Sequence, residues 1–233
     1  KTMRYCFGVD VGGTTVKLGF FDEEGNLLEK WEIPTRTQDH GKNILPDVAA
    51  SILDKMKERE VSREEIAGVG IGAPGPIDAK GTVYVAVNLG WGTFSLKNEL
   101  QSLLNLPVEA GNDANVAALG EMWKGGGQGY SNVVAVTLGT GVGGGIIVDG
   151  KILSGATGAG GEIGHIHVVD GETEACNCGN YGCLEQYTSA TGIVRLAKRR
   201  LAEDDKPSVL RESGNISAKT VFDAVKDGDE LAV

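Results

Sequence analysis

The chain has 233 residues and a formal net charge of −10 at pH 7. That balance argues against nucleic acid or an anionic membrane as its main partner, because both call for a basic face. Its composition, 41% hydrophobic and 23% charged, is that of a globular chain able to bury a substantial core, and no apolar run is long enough to predict a membrane span. Residues 1–4 lead straight into a strand-like stretch with no signal peptide in view. Cysteines in such a chain point to a reducing, cytosolic setting.

In chain order, residues 5–10, 16–21 and 27–33 read as three strands. They are joined by Val11-Gly12-Gly13-Thr14-Thr15 and by an acidic turn ending in Gly25-Asn26. A Gly-Gly-Thr-Thr turn between strands is either an ordinary hairpin or a small concavity of N–H groups and hydroxyls suited to phosphate. Asp10 before it is a candidate metal-water ligand, and Lys17 after it a candidate phosphate partner. Residues 43–59 carry Ile44, Leu45, Val48, Ile52, Leu53 and Met56 at helical spacing, and Ser62 to Glu65 has the form of a capping box. A buried strand is expected over 66–71, a strand over 82–87, a loop over 88–92, a helix capped by Ser95 and running to Leu104, and a short strand over 107–110. This order predicts a mixed sheet with helices on its faces.

Asn112-Asp113 follows a strand end and opens a helix. Asp113 there is either a helix cap or a carboxylate at a strand's carboxyl end, where α/β folds place ligands and where it can accept a proton from a hydroxyl. Residues 132–138, 145–148 and 151–153 read as three more strands, with Gly139-Thr140-Gly141 in the first turn and Asp149-Gly150, a hairpin signal, in the second. This repeats the N-terminal plan and suggests two similar domains, each presenting a Gly/Thr turn to one polyphosphate. The glycine loop after residue 138 is neither a Walker loop, since Gly-Lys-Ser/Thr is missing, nor a dinucleotide fingerprint, since it joins two strands.

Cys176, Cys178 and Cys183 fall within eight positions, with Gly179 and Gly182 between them and a histidine upstream. The set reads as a disulfide plus a thiol or, with a histidine, as a Cys3His structural zinc site. His165 is preferred to His167 as the fourth ligand. Pinning His165 and Cys183 to one ion brings Glu162 and Glu185 near one place. Residues 184–202 then read as one helix, 217–226 as another, and 229–233 as the opening of a third that stops. Because the second set of strands is only three long, the sequence is expected to be a fragment.

Taken together, Asp10-Val11-Gly12-Gly13-Thr14, Gly72-Ala73-Pro74-Gly75-Pro76, Asn88-Leu89-Gly90-Trp91, Asn112-Asp113, Leu138-Gly139-Thr140-Gly141-Val142-Gly143, Glu162-Ile163-Gly164-His165 and Cys176-x-Cys178-Gly179-x-x-Gly182-Cys183-x-Glu185 resemble the ROK family of sugar kinases and repressors, and within it the bacterial ATP-dependent glucokinases. The resemblance implies an α/β chain of two ribonuclease-H-like domains of the actin and hexokinase type, over 1–112 and 113–233, with mixed sheets closing on a sugar and ATP in the cleft. It implies phosphorylation of glucose at the 6-hydroxyl, with Asp113 as general base, and Gly75, Asn88, Asn112, Glu162, His165 and Glu185 around the sugar. Gly12, Gly13, Thr14, Thr15, Lys17, Gly139, Thr140 and Gly141 would face the ATP phosphates, and Asp10 would hold Mg²⁺ through water. Zn²⁺ on His165, Cys176, Cys178 and Cys183 would be structural, and a homodimer or higher homo-oligomer is expected. The family's later adenosine-binding segment and closing helix have no counterpart in this sequence. The alternatives are a kinase for fructose, mannose or an N-acetylhexosamine, and a sugar-sensing regulator of the same family; the latter is disfavoured because no DNA-binding segment fits before residue 10.

Overall fold

The computed structural model describes residues 4–233. By compactness the chain forms two units. One runs to Ala135 and takes in Gly145–Gly160; the other comprises Val136–Gly144 and Gly161–Val233.

The first unit begins with β1 (Tyr5–Val11), β2 (Thr15–Asp22) and β3 (Leu27–Pro34), followed by α1 (Ile44–Glu58) and β4 (Ile66–Ala73). Short strands β5 (Thr82–Val83) and β6 (Phe94–Ser95) pair with each other and lead into α2 (Leu96–Leu104), β7 (Val108–Asn112) and α3 (Asp113–Lys124). The main sheet has the order β3-β2-β1-β4-β7. β1, β2 and β3 pair antiparallel, and β4 pairs parallel with β1 and with β7. This is the mixed sheet that the element order predicts.

Strand alternation decides which face is covered. Phe7, Val9 and Val11 of β1, Val16, Leu18 and Phe20 of β2, and Val69 and Ile71 of β4 are buried in one core with Ile44, Val48 and Ile52 of α1 and Leu96, Leu100 and Leu104 of α2. Each fully buried aliphatic side chain there contributes about 1.5–3 kcal/mol. The alternate positions, including Gly8, Gly19, Gly68, Gly70 and Gly72, face the other way. They line an apolar groove with Phe21, Leu27, Val116, Leu119 and Trp123.

The expected strand over 82–87 is shorter than the sequence suggests. Ala86 and Trp91 exchange backbone hydrogen bonds of 3.0 and 3.1 Å around a 3-10 turn, Val87–Leu89, and Gly90 closes that turn with φ 74°. The chain therefore folds back before a longer strand can form.

Next come β8 (Val133–Leu138), β9 (Val142–Val148) and β10 (Lys151–Ile152), in the order β10-β9-β8. The boundary between the units passes through β8 and β9. This strand–turn–strand–turn–strand plan matches β1–β3, as the internal repeat predicts. Asp149 and Gly150 both hold positive φ, at 50° and 73°, which a tight hairpin requires.

The second unit holds α4 (Glu185–Thr188), α5 (Ala190–Glu203) and α6 (Ala218–Lys226). The single helix expected over 184–202 is two. Ser189 takes extended backbone, and its buried hydroxyl accepts the Gly192 N–H at 2.9 Å, so a new helix starts there. The Ala190 N–H donates to the Gly139 carbonyl and the Thr191 hydroxyl to the Thr140 carbonyl. Residues 229–233 form a turn and not a helix, and in it the Asp229 carboxylate accepts from the Ser208 hydroxyl and from the Val209 and Leu231 N–H groups. No helix among the described residues is long and apolar enough to cross a membrane.

Candidate active site and metal centre

In the first unit, Asn112 ends β7 and caps α3. Its Oδ1 accepts from the Ala114 and Asn115 N–H groups at 3.0 and 3.2 Å, and its Nδ2 donates to the Gly75 carbonyl at 3.0 Å. The cap is thus Asn112, which leaves Asp113 as the first helical residue, at a strand's carboxyl end. Asp113 keeps exposed surface but is crowded by surrounding protein. That partial desolvation pushes its carboxyl up, the Asp10 charge adds to the rise, and the Ala114 N–H opposes it. Gly75 has φ +90°, and a Cβ there would lie 2.1 Å from the Val85 carbonyl oxygen. Only glycine fits this approach of the 75–76 turn to Val85. Asn88 is exposed on the 3-10 turn.

The β1–β2 turn is tight. The Gly12 N–H donates to the Thr15 carbonyl at 3.0 Å, and the Thr35 hydroxyl and N–H donate to the Gly12 and Thr14 carbonyls. Gly12 therefore spends its own N–H inside the turn, which leaves Gly13 and Thr14 as its exposed members. Asp10 and Lys17 are direct partners across β1 and β2, both exposed.

In the second unit, one ligand atom from each of His165, Cys176, Cys178 and Cys183 lies within 4.8 Å of the others. Cys178 Sγ is 3.7 Å from Cys183 Sγ, and Cys176 Sγ is 3.7 Å from His165 Nδ1. Zinc–sulfur bonds of about 2.3 Å at tetrahedral angles set neighbouring sulfurs about 3.8 Å apart. The two observed separations are close to the edges of such a tetrahedron, and 3.7 Å is far beyond a disulfide bond. The disulfide reading falls, and all four cysteines of the chain are free. His167 is engaged elsewhere, with its ring nitrogens 2.9 Å from the Tyr181 carbonyl and 2.8 Å from Asp170 Oδ1. The residues fit zinc: three sulfur donors and one imidazole nitrogen, with the His165 Nδ1 turned inward.

Glu162 and Glu185 both lie beside this cluster. Glu162 Oε2 is 3.9 Å from His165 Nε2, the nitrogen opposite the ligating one. Glu185 Oε1 is 4.0 Å from Cys176 Sγ, while its Oε2 accepts from the Val142 N–H at 2.9 Å. A Cβ on Gly141 would lie 2.3 Å from Glu185 Oε2, so Gly141 leaves room for that carboxylate. The Gly139-Thr140-Gly141 turn is thereby docked against α4 and α5.

The profile of the ROK family matches residues 6–233. The chain belongs to the ROK family. It is 46% identical over 234 residues to the glucokinase of Halalkalibacterium halodurans, an alignment that covers 99% of this chain and 71% of that one. It is 40% identical to the glucokinase of Streptomyces coelicolor, covering 99% of this chain and 73% of that one. Among solved structures it is similar to a ROK family glucokinase from Streptomyces griseus in complex with glucose and AMPPNP, with a TM-score of 0.74 and 37% identity over 98% of this chain and 73% of that one. Its relatives also include kinases of N-acetylhexosamines and a xylose repressor. The His165, Cys176, Cys178 and Cys183 cluster is consistent with a zinc site of this family.

Sequence reading missed three residues near the metal centre. Gln186, Glu172 and Arg195 brace the ligand loop through contacts that span up to 23 residues. The only local signal was the position of Gln186 immediately after Glu185.

Proposed function

We propose that the chain is a sugar kinase that transfers the terminal phosphoryl group of ATP to the 6-hydroxyl of glucose. Asp113 takes the hydroxyl proton as the sugar oxygen forms its bond to phosphorus, and the bond from phosphorus to the bridging oxygen breaks, leaving its electron pair on ADP. Asn112, Gly75 and Asn88 in the first unit, and Glu162, His165 and Glu185 in the second, bind the sugar. Gly12, Gly13, Thr14, Thr15, Lys17, Gly139, Thr140 and Gly141 would face the phosphates, and Asp10 would hold Mg²⁺. In such transfers the protein mainly positions groups and neutralises charge. Zinc on His165, Cys176, Cys178 and Cys183 would have four protein ligands and no open position for chemistry, and would hold the chain that carries Glu162 and Glu185.

The observation that carries this reading is Asp113. It is a carboxylate at the carboxyl end of β7, the edge strand that pairs parallel with β4, made more basic by partial desolvation and by Asp10. A general base gains from a pKa nearer the working pH. The relatives named glucokinase support glucose over other hexoses.

A coupled ADP-release assay with Mg-ATP and a hexose panel tests the proposal. Turnover should be strong with glucose and weak with fructose, mannose and N-acetylglucosamine, and Asp113→Asn should lower kcat by about 10²- to 10⁴-fold. Turnover that survives this substitution removes Asp113 as the base. Absence of turnover with every sugar in a folded, zinc-loaded protein rejects the kinase reading.

A further inference from the structure

Between His165 and Cys176 the chain places an ionic cluster inside the second unit. The Glu172 side chain is 1% exposed. Its Oε1 accepts from the N–H groups of Thr173 and Glu174 at 2.9 and 3.1 Å, and its Oε2 from the Tyr187 hydroxyl and from both terminal nitrogens of Arg195 at 3.1 Å each. Arg195 also donates to the Glu174 carboxylate at 2.8 Å and to the Gln186 carbonyl at 3.1 Å, with its guanidinium over the Tyr187 ring. A buried ion pair gives little net stability after desolvation. Its best-attested use is to select one arrangement of the chain.

The arrangement selected here runs through Gln186, which is 8% exposed. Its Oε1 accepts from the Cys183 N–H at 3.1 Å, and its Nε2 donates to the Glu174 carbonyl at 2.9 Å. One end of this amide thus grips a candidate ligand residue, and the other grips the loop two residues before Cys176. The loop between those points turns at Gly179 and Gly182, both at positive φ. It has the conformational freedom to let its sulfurs drift apart. A brace across its base shortens the free loop and lowers the ordering cost of gathering the ligands.

We propose that Gln186, clamped by Arg195 and Glu172, is a positioning residue for the metal centre that holds the Cys176 and Cys183 arms at ligating separation before zinc arrives. It acts through the loop and not as a ligand. The inference rests on the zinc reading of the cysteine cluster.

The test is zinc affinity, measured on the whole chain by competition with a chromophoric chelator, together with the visible spectrum of the Co²⁺-substituted protein. Removing partners that orient metal ligands costs about 10- to 100-fold in affinity. Gln186→Ala and Arg195→Lys should weaken zinc by that factor and shift the Co²⁺ bands. Gln186→Glu keeps the volume and the acceptor for Cys183 but loses the donor to Glu174, so it should also bind more weakly, which a packing role alone does not predict. Arg199→Ala, which removes a half-exposed partner 3.7 Å from Glu172, should stay within about threefold of the unmodified chain, below the range expected for the brace. Unchanged zinc affinity and Co²⁺ spectrum in Arg195→Lys and Gln186→Glu overturn the proposal, and these two decide it if Gln186→Ala does not fold. If the unmodified chain takes up neither metal, or Cys178→Ser binds as tightly as it does, the zinc reading itself fails and the brace with it.

Discussion

Replacing Asn112 by alanine removes two functions of one side chain that is 7% exposed. The first is the cap on α3, with its two accepted hydrogen bonds; losing such a cap costs about 1 kcal/mol. The second is the Nδ2 donation to the Gly75 carbonyl at 3.0 Å. Stranding a buried polar group costs about 1–3 kcal/mol. The sum is about 2–4 kcal/mol of stability in the first unit. Asn112→Ser retains a capping oxygen but cannot reach Gly75, so it should lose about 1 kcal/mol less than alanine. The assay is urea unfolding followed by tryptophan fluorescence. All three tryptophans, Trp31, Trp91 and Trp123, lie in the first unit, so the signal reports that unit alone. With a urea slope of about 2 kcal/mol per molar, the alanine variant should unfold about 1–2 M earlier. A shift below about 0.3 M for alanine, or serine no better than alanine, refutes the reasoning that Asn112 ties the Gly75 turn to the start of α3.

The other predictions concern backbone strain and pH. Gly75→Ala should destabilise the first unit by more than about 2 kcal/mol, because its methyl meets a backbone carbonyl at positive φ. Gly13→Ala, with open space around the new Cβ, should stay within about 0.5 kcal/mol, and the same urea assay compares the two. The Asp113 carboxyl is raised in the folded chain, so the folded state keeps a proton that the unfolded state releases. Its contribution is present below the unfolded pKa and is lost as pH rises through the folded value. Asp113→Asn should therefore match or exceed the unmodified chain in stability at neutral pH, with any advantage shrinking below about pH 4, near the unfolded pKa; a thermal-melt difference that grows toward acid contradicts this. Glu172 has the opposite sign. Tyr187, the Glu174 N–H and Arg195 hold it down to about 2, so its contribution is present above the ordinary glutamate range and is lost as pH falls toward 2. Circular dichroism of the unmodified chain against Glu172→Gln should show a stability difference that is full at neutral pH and vanishes across that acid window.

The parts of this molecule that the sequence discloses are those in which near neighbours decide the structure. β1, β2 and α1 follow from alternation and from apolar steps of three and four residues, and the core uses those side chains. The cysteine cluster is equally local. Three sulfurs within one short loop declare a candidate ligand set by themselves, and the two separations of 3.7 Å are consistent with the metal reading. The strand over 82–87 and the helix over 184–202 mislead for different reasons. The first is broken locally, by the turn that returns Trp91 to Ala86 and closes at Gly90, whereas the start of α5 is met by the distant Gly139-Thr140 carbonyls; the apolar pattern runs through both breaks unchanged. Ser189 did carry a capping signal, but nothing nearby weighed it above the continuing stripe.

Charge is where local reading fails most completely. Residues 170–174 hold Asp170, Glu172 and Glu174, an acidic loop by composition. Asp170 is fully exposed, whereas the Glu172 side chain, two positions on, is 1% exposed. What separates them is Arg195, a cation 23 residues further along that enters from α5. A carboxylate is buried in one place and solvated in another according to whether the fold delivers a donor to it, since an unpaired buried charge is prohibitively costly. The net charge of −10 is thus a statement about partners of the surface and carries no information on which acids point inward. In this chain an inward-facing acid sits at the base of the ligand loop, so the residues that hold the metal centre in shape lie among those that composition alone assigns to solvent.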